Sequence, residues 1–547
     1  MGDGNHAGDR GLVAPDGCLC DAAMPGLIYY KQGDGRVDIH DWGMEFTAAG
    51  LLMQSELLLI SRDKSALDHY LPRLERCANF IETRRDGNND LFLAGPAGNL
   101  LAPSYAGWKK PDGTFGMSYL TGLSVTYIAA LDRLIELEKM AGQTDKAAVY
   151  RGRRGAARRG LDRLATDEGY FIRSLDPDGT PHGIYGARQH GYFETSPNHD
   201  AIAFRVVDDE QAGKIYRRIA SIPELRPHDF ILPNYPSYDD MYEEPKGLWE
   251  FGRWVNGGHW STCEARMIMA YYRLGKYDDI TRSMRQLLKF ASDFRMDNPL
   301  TEQGNAVYQP KQPINICYDT FGPAAAQVRG LFEYRYSAKG LTLYPHIPAT
   351  VTALEQHFPI RFGEKQLYLS VAGAGPIREV RVNSKRWTDF EKESIFLAYD
   401  EMPKVAHIRI ALGDAKVPRA ARERKAFDLP KADTLAGDLA PFAEKDEQLR
   451  AFLRYAVRAR LGSAYEAAHA RLVVENIAAA RERQGLLADG ELQPLSGEGR
   501  QAAADKSYVD TIQRLCEGFE KSIVACKDST EPAKQRLWKA WEKATRE

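Results

Sequence analysis

The sequence predicts a mainly α protein: a ring of helical hairpins, then a small β-sandwich, then a charged helical tail. Three observations carry this. Amphipathic helices alternate with helices that are apolar nearly all round; connections within a pair are short while those between pairs are long; and after Gly340 the hydrophobic period changes from 3.6 to two. The boundaries fall at 1–37 for an N-terminal segment, 38–338 for the helical ring, 339–414 for the sandwich and 415–547 for a charged helical extension.

Residues 42–60, WGMEFTAAGLLMQSELLLI, are apolar on nearly every face and mark an inner helix. Ser65 to Arg84 carries Leu67, Tyr70, Leu71, Leu74, Cys77, Ala78 and Ile81 on one stripe, which marks an outer one. The alternation returns in Met117 to Met140 and Lys146 to Leu164, whose Arg-rich run RGRRGAARRGLDR reads as a solvated face. It returns again in Asn198 to Val207 with Asp209 to Ala220, and in Trp260 to Leu274 with Tyr277 to Phe290. A ninth long helix is expected from Gly322 to Tyr336. Paired helices run antiparallel, so the long connections 85–116, 166–196, 222–259 and 291–321 emerge at one end and build a single cup.

Beyond Gly340, LTLYP at 341, HFPIRF at 357, QLYLSV at 366, REVRVN at 378, SIFLA at 394 and AHIRIAL at 406 alternate with period two between Gly, Pro and Asn turns. They predict a sandwich of about six strands. From about Pro418 the pattern is helical, charged and Ala-rich. Three roles stay open for this tail: an appendage on the ring, an element through which copies of the chain form a homo-oligomer, or an extension.

With 73 basic against 75 acidic residues, the net charge of -2 supplies no field for nucleic acid or an anionic membrane. No apolar run reaches about 18 residues and the first thirty residues show no secretory signal, so the chain as given is expected in the cytoplasm; a missing N-terminus would allow export. The seven cysteines are odd in number and scattered, unlike a disulfide framework. Cys18 and Cys20 lack zinc spacing, and no metal or other cofactor is expected. The balance suits a neutral, polar small substrate.

The long loops are crowded with aromatic rings that stack on sugar faces and with Asp, Glu, Asn, His and Arg that bond hydroxyls. Cleaving a glycosidic bond needs one protonated carboxylic acid and one carboxylate. Carboxylates lie beside aromatics in five clusters: VDIHDWGMEF, with Asp38, Asp41 and Glu45 around His40 and Trp42; Asp86, Asp90 and APSYAGW, with Tyr105 and Trp108; HGYFETSPNHD, with His190, Tyr192, Glu194, Asn198, His199 and Asp200; the stretch 234–264, with Trp254, Asn256, His259, Trp260 and Glu264; and PLTEQGN, with Glu302. Asp41 and Asp319 serve equally well as helix caps. His199 and His259 are expected to hydrogen-bond hydroxyls or backbone, since no HExxH-like spacing occurs.

Three strings carry a family likeness. WVNGGHW resembles the NGG-aromatic string of disaccharide phosphorylases and related hydrolases; TEQGN resembles the Glu-Gln loop of glucoamylases; and FGPAAAQVRGLFEYRYSAKGLTLYPHIP resembles a last barrel helix running into a β-domain. Over about residues 38–412 the sequence resembles the six-hairpin glycosidases, the (α/α)6 toroid clan of glucoamylases, α-L-rhamnosidases, processing-type α-glucosidases and disaccharide phosphorylases. The resemblance implies an exo-acting, inverting glycosidase, with Glu302 as the base on the loop before the last inner helix. Processing-type glucosidases carry an Asp in a Gly-Trp-Asp string, where this sequence has Gly107, Trp108 and Lys109, so the acid falls to Asp41 or Glu45, with Glu264 in reserve. Tyr105, Trp108, Tyr192, Glu194, Asn198, His199, Trp254, Asn256, His259, Trp260 and Trp42 are the expected sugar contacts. A phosphorylase of the same fold, or a sugar binder without activity, are the alternatives.

Overall fold

The computed structural model describes residues 17–19, 39–94, 117–226, 229–238, 261–293 and 322–423, with the single positions 527, 535 and 539; of 39–43, 261 and 289–293 it describes the backbone alone. Residues 31–422, with a short N-terminal piece, form one compact unit. The expected helical tail and most of the N-terminal segment lie outside the described residues.

Eight helices fall where the periodicity places them: α1 (Ile39–Ser61), α2 (Lys64–Glu82), α3 (Thr121–Met140), α4 (Thr144–Asp162), α5 (Ser196–Ala203), α6 (Asp209–Ala220), α7 (Ser261–Arg273) and α8 (Tyr277–Asp293). Inner helices pack on one another in order, α1 on α3, α3 on α5, α5 on α7, and each outer helix returns onto its own partner. The ninth, α9 (Gly322–Gly330), packs on α7. Gly330 permits that approach, since a Cβ there would lie 2.1 Å from the Tyr272 ring. Glu56 of α1 pairs with Arg329 of α9 and lies 3.4 Å from Arg133 of α3. Five inner and four outer helices are thus described, an arc rather than the full six-hairpin closure that the resemblance implies. At its end α1 departs from the expectation of burial nearly all round, for Met53 and Leu57 are exposed.

The long connections are stitched together by short strands. β1 (Leu93–Ala94), β2 (Ser118–Leu120), β3 (Ser174–Leu175) and β4 (Pro181–His182) form one antiparallel sheet, and β5 (Phe193–Glu194) pairs with β6 (Asn234–Tyr235). Three successive connections therefore run side by side at the end where α3 and α5 begin. The helix expected from Met117 starts only at Thr121, because Ser118–Leu120 is claimed by this sheet and the Thr121 hydroxyl donates to the Ile172 carbonyl at 2.6 Å.

The ninth helix is also shorter than its expected reach to Tyr336. After Gly330 the alternating Phe332, Tyr334 and Tyr336 leave the helix; Phe332 joins the sandwich core and Arg335–Tyr336 becomes β7, paired with β8 (Gly340–Leu343). β9 (Ala353–Glu355), β10 (Ile360–Phe362), β11 (Lys365–Ala372), β12 (Ile377–Val382), β13 (Lys385–Trp387), β14 (Ile395–Ala398) and β15 (Val405–Leu412) complete the region. One sheet runs β10-β11-β15-β12-β13, with β9 also on β11, and the other runs β14-β8-β7. Their inner faces share an apolar core including Leu341, Leu343, Leu369, Val371, Leu397, Ile408 and Ile410. Six of these strands are the six read from the sequence; the β11–β15 pairing is parallel over Gln366–Ala372 and Val405–Ala411. Residues 415–422 form neither helix nor strand, and the Ser370 hydroxyl donates to the Arg419 carbonyl at 2.8 Å.

Arc and sandwich are joined by polar contacts. The Arg62 guanidinium donates to the carbonyls of Ser337 at 3.1 Å and Ala338 at 2.6 Å, and lies 4.2 Å from the centre of the Tyr399 ring. The Gly363 amide donates to the Ile60 carbonyl at 2.7 Å. Glu333 pairs with Arg205 of the arc and with His346 at 2.8 Å. Burial raises the Glu333 carboxyl, but the hydrogen bonds and charges of Arg205 and His346 outweigh it and bring the group down to about 2.

Candidate active site

At the end of the arc that carries the long connections, the interior is not apolar. Glu45, Arg173, Glu194, His199, Asp200 and Glu264 are all buried there, each near the start of an inner helix or on a connection leading into one. Glu45 lies in the second turn of α1, beside buried Met44 and Ala48. Glu194 is placed by β5 and by Thr195, whose amide donates to the Pro233 carbonyl at 2.8 Å and whose hydroxyl donates to the Leu232 carbonyl at 2.6 Å. Arg173 is tied to α3 through its carbonyl, which accepts the Thr121 amide at 3.0 Å.

These three groups form one electrostatic unit. Arg173 Nε lies 3.6 Å from Glu194 Oε2, and both side chains are wholly removed from solvent. Arg173 Nη1 donates to the Tyr192 hydroxyl at 2.9 Å, and the guanidinium lies 4.4 Å from the centre of the Tyr238 ring, which meets Tyr192 edge-on. The Ser196 hydroxyl donates to Glu194 Oε1 at 2.6 Å. Glu45 is close enough to this pair to feel both of its charges, yet neither of its oxygens has a hydrogen-bond partner among the described residues. Burial, and then the charge of Glu194, hold its carboxyl well above the usual carboxylate range; Arg173 opposes them in part. Glu45 is therefore a carboxyl biased by its surroundings toward the protonated form, the chemical form that a general acid requires.

Beside it, Asp200 accepts from Arg266 at 2.6 Å and meets His199 Nδ1 at 2.9 Å. Burial raises Asp200, but Arg266 and His199 prevail and hold it below the usual range. His199 Nε2 is buried without a hydrogen-bond partner among the described residues. Burial pushes the neighbouring Cys263 thiol up, so it is no ready nucleophile.

Of the residues singled out in the sequence, Glu45, Tyr192, Glu194, Asn198 and His199 gather here. Asn198 is occupied by scaffolding: its side-chain amide donates to the carbonyls of Phe171 at 2.9 Å and Glu194 at 2.8 Å, and its Oδ1 accepts the Phe171 amide at 2.8 Å. Glu264 accepts the Ile231 amide at 2.5 Å and faces Arg226 at 3.7 Å, which ties the start of α7 to the preceding connection. Asp41 and Trp42 lie in the first turn of α1, and their side chains are outside the described residues. Glu302, Tyr105, Trp108, Trp254, Asn256, His259 and Trp260 also fall outside them. Sequence reasoning passed over Arg173, Tyr238 and Arg266. The available signal was Arg173 in the short apolar string of Tyr170, Phe171 and Ile172, where a charge is out of place unless it is paired.

No family model matches the chain, and no curated protein matches it. Among solved structures it is similar to a GH78 family rhamnosidase of Bacillus sp. GL1, with 14% identity and a TM-score of 0.38 over 60% of this chain and 32% of that one. It is similar to a sialidase, with 13% identity and a TM-score of 0.41 over 69% of this chain and 33% of that one. A GH63 mannosylglycerate hydrolase from Thermus thermophilus, in complex with glucose, shows 11% identity and a TM-score of 0.38 over 58% of this chain and 84% of that one. The chain thus spans about a third of the length of the rhamnosidase and the sialidase. These neighbours are glycoside hydrolases, the class that the sequence resembles. Among the described residues no helix is long and apolar enough to cross a membrane.

Proposed function

We propose that the chain is a glycoside hydrolase on a six-hairpin (α/α)6 toroid, exo-acting and inverting, with Glu45 as general acid and Glu302 as general base. One observation carries the reading: Glu45 is a buried carboxyl with no hydrogen-bond partner among the described residues, pushed toward its protonated form by burial and by the charge of Glu194, at the end of the arc where the sugar-binding residue types are concentrated. A carboxyl so placed is costly to the fold and has the proton available for a leaving group. Glu45 gives its proton to the glycosidic oxygen as the bond from that oxygen to the anomeric carbon breaks. Glu302 takes a proton from the water whose oxygen attacks the opposite face. The products are the freed alcohol and a sugar of inverted configuration. Inversion requires the two carboxyls to stand roughly 6.5 to 9.5 Å apart, leaving room for that water. Tyr192 and His199 are proposed as floor contacts; Tyr105, Trp108, Trp254, Asn256, His259 and Trp260 are proposed as contacts from the connections.

The test begins with a panel of nitrophenyl glycosides and oligosaccharides, with product anomers followed by NMR. Glu302→Gln keeps size but removes basicity and is expected to lower turnover at least about a hundredfold with binding retained. A retained anomer, activity that depends on inorganic phosphate, or near-normal turnover in Glu302→Gln would each overturn the assignment.

A further inference from the structure

The geometry points to Arg173 and Glu194 as a positioning pair for Glu45: the guanidinium fixes Glu194 as an anion, and that anion keeps Glu45 the proton-bearing member of the two carboxyls. The inference deepens the proposed function and rests on its choice of Glu45 as acid, but it concerns residues that the reaction does not consume.

Three observations carry it. First, Arg173 is over-determined: Glu194 lies at 3.6 Å, the Tyr192 hydroxyl at 2.9 Å and the Tyr238 ring centre at 4.4 Å, so the cation has one place to be. Second, Glu194 receives the Ser196 hydroxyl at 2.6 Å on one oxygen and faces the guanidinium with the other, an environment that favours its ionised form. Third, Glu45 is shut into the same interior with no hydrogen bond of its own among the described residues. Two carboxyls near one another in a dry site do not both ionise; the one with the cation and the hydroxyl takes the charge. The causes of the Glu45 shift agree, since after burial the groups that act on it are Glu194, which raises it, and Arg173, which lowers it.

Among the described residues, the other charged groups near this end have partners of their own, Asp200 with Arg266 at 2.6 Å and His199 at 2.9 Å. On α3, packed along α1, the first residues Thr121, Gly122, Leu123, Ser124 and Val125 carry no titratable group, and Tyr127 donates to Glu82 at 2.9 Å. On α2, Glu82 also pairs with Arg85 at 2.6 Å, and Cys77 is a buried thiol. On α1 itself, the side chain of Asp41 is outside the described residues.

The experiment is a pH titration of the full chain by difference infrared spectroscopy, following the carbonyl stretch of protonated carboxylic acids, with no substrate present. The band lost in Glu45→Gln identifies Glu45. Glu194→Gln removes the neighbouring anion and is expected to move the Glu45 midpoint down by about one pH unit or more. Arg173→Met removes a cation that favours the ionised form of both carboxyls, while the Ser196 hydroxyl still makes Glu194 the first to ionise, and it is expected to move the Glu45 midpoint up. The opposite signs separate an electrostatic role from a structural one, because loosened packing and admitted water would lower the midpoint in both. Should Arg173→Met fail to fold, the double variant Arg173→Met with Glu194→Gln removes both charges together and is expected to show a midpoint above that of Glu194→Gln alone. Unmoved midpoints, or movement in the same direction in both single variants, overturn the inference. The alkaline limb of kcat/KM on a nitrophenyl glycoside is expected to follow the same shifts. Full activity in Glu45→Gln alongside the expected infrared shifts would remove the proposed acid while leaving the positioning pair intact; an inactive Glu45→Gln with unmoved midpoints would do the reverse.

Discussion

The arc and the sandwich bury side chains by different rules. In the sandwich, from residue 339 to 414, Ser370 is the one buried polar residue described, and the core is an apolar interdigitation of two sheets. At the loop end of the arc, Glu45, Arg173, Glu194, His199, Asp200 and Glu264 are all buried. Each buried ion costs several kcal/mol to desolvate, and a paired one recovers that only with good geometry. The sandwich shows that this chain can build an apolar core where packing alone is needed. Charge retained at the other end is not explained by packing alone, and it is what the proposed active site would require.

The largest expected effect tests that contrast. Glu45→Gln is expected to lower kcat by roughly 10²- to 10⁴-fold on substrates with poor leaving groups, and by much less on nitrophenyl glycosides, whose leaving group needs no proton. Circular dichroism is expected to show an intact fold. Equal losses on both kinds of substrate would mean that Glu45 does not act as an acid. Leu369→Ala in the sandwich should invert the pattern, costing about 2–5 kcal/mol in denaturant unfolding and leaving the kcat of the folded protein unchanged, since Leu369 is fully buried among apolar neighbours.

Next in size is the joint between the two regions. Glu333 is held at about 2, far below its ordinary value, so the folded state keeps it ionised where the unfolded chain would protonate it. Its contribution is fully present above the unfolded pKa of about 4.3 and is lost as pH falls toward 2. A shift of that size amounts to on the order of 3 kcal/mol. Glu333→Gln is expected to flatten the acid side of the stability profile by that amount, measured by urea unfolding between neutral and acid pH. Glu45 has the opposite sign: its raised carboxyl favours the folded state below the unfolded pKa, and that advantage is lost as pH rises through the folded value. An acid limb unchanged in Glu333→Gln would sink the reading of the joint.

How legible each region was follows from the range of its interactions. The six sandwich strands read from the sequence were readable because period-two alternation is local, and α1 to α8 because helical stripes repeat within a few turns. β9 and β13, no shorter than β10, escaped notice because they are largely exposed and bury no alternating apolar face. The end of α9 was misplaced because Phe332 and Tyr336, four apart, continue a helical stripe, and the strand that also takes up Arg335–Tyr336 is fixed by β8, later in the chain. At the site, Glu45 and Glu194 could be proposed from composition. Arg173, which pairs with Glu194 further along the same connection, could not, because the pairing depends on how β2, β3, β5 and β6 fold that connection back on itself.

The smallest effect concerns whether the floor and the far end of the arc are separable. The first amides of α2 have no partner within the helix, and Asp63 supplies one: its extended backbone, at φ -74 and ψ 113, lets Oδ1 accept the Ala66 amide at 3.0 Å. Asp208 does the same for α6, accepting the Gln211 amide at 2.8 Å. Asp63 follows Arg62, the residue that reaches into the sandwich, and it lies at the short-turn end of the first hairpin, opposite the start of α1 where Glu45 is buried. Asp63→Ala and Asp208→Ala are each expected to cost about 1 kcal/mol in urea unfolding. Both should leave the infrared midpoint of Glu45 where it is, because neither changes a charge near the floor and fraying a first turn leaves the packing of α1 on α3 in place. A displaced midpoint in either variant would show that the buried charges answer to the whole arc rather than to Arg173 and Glu194.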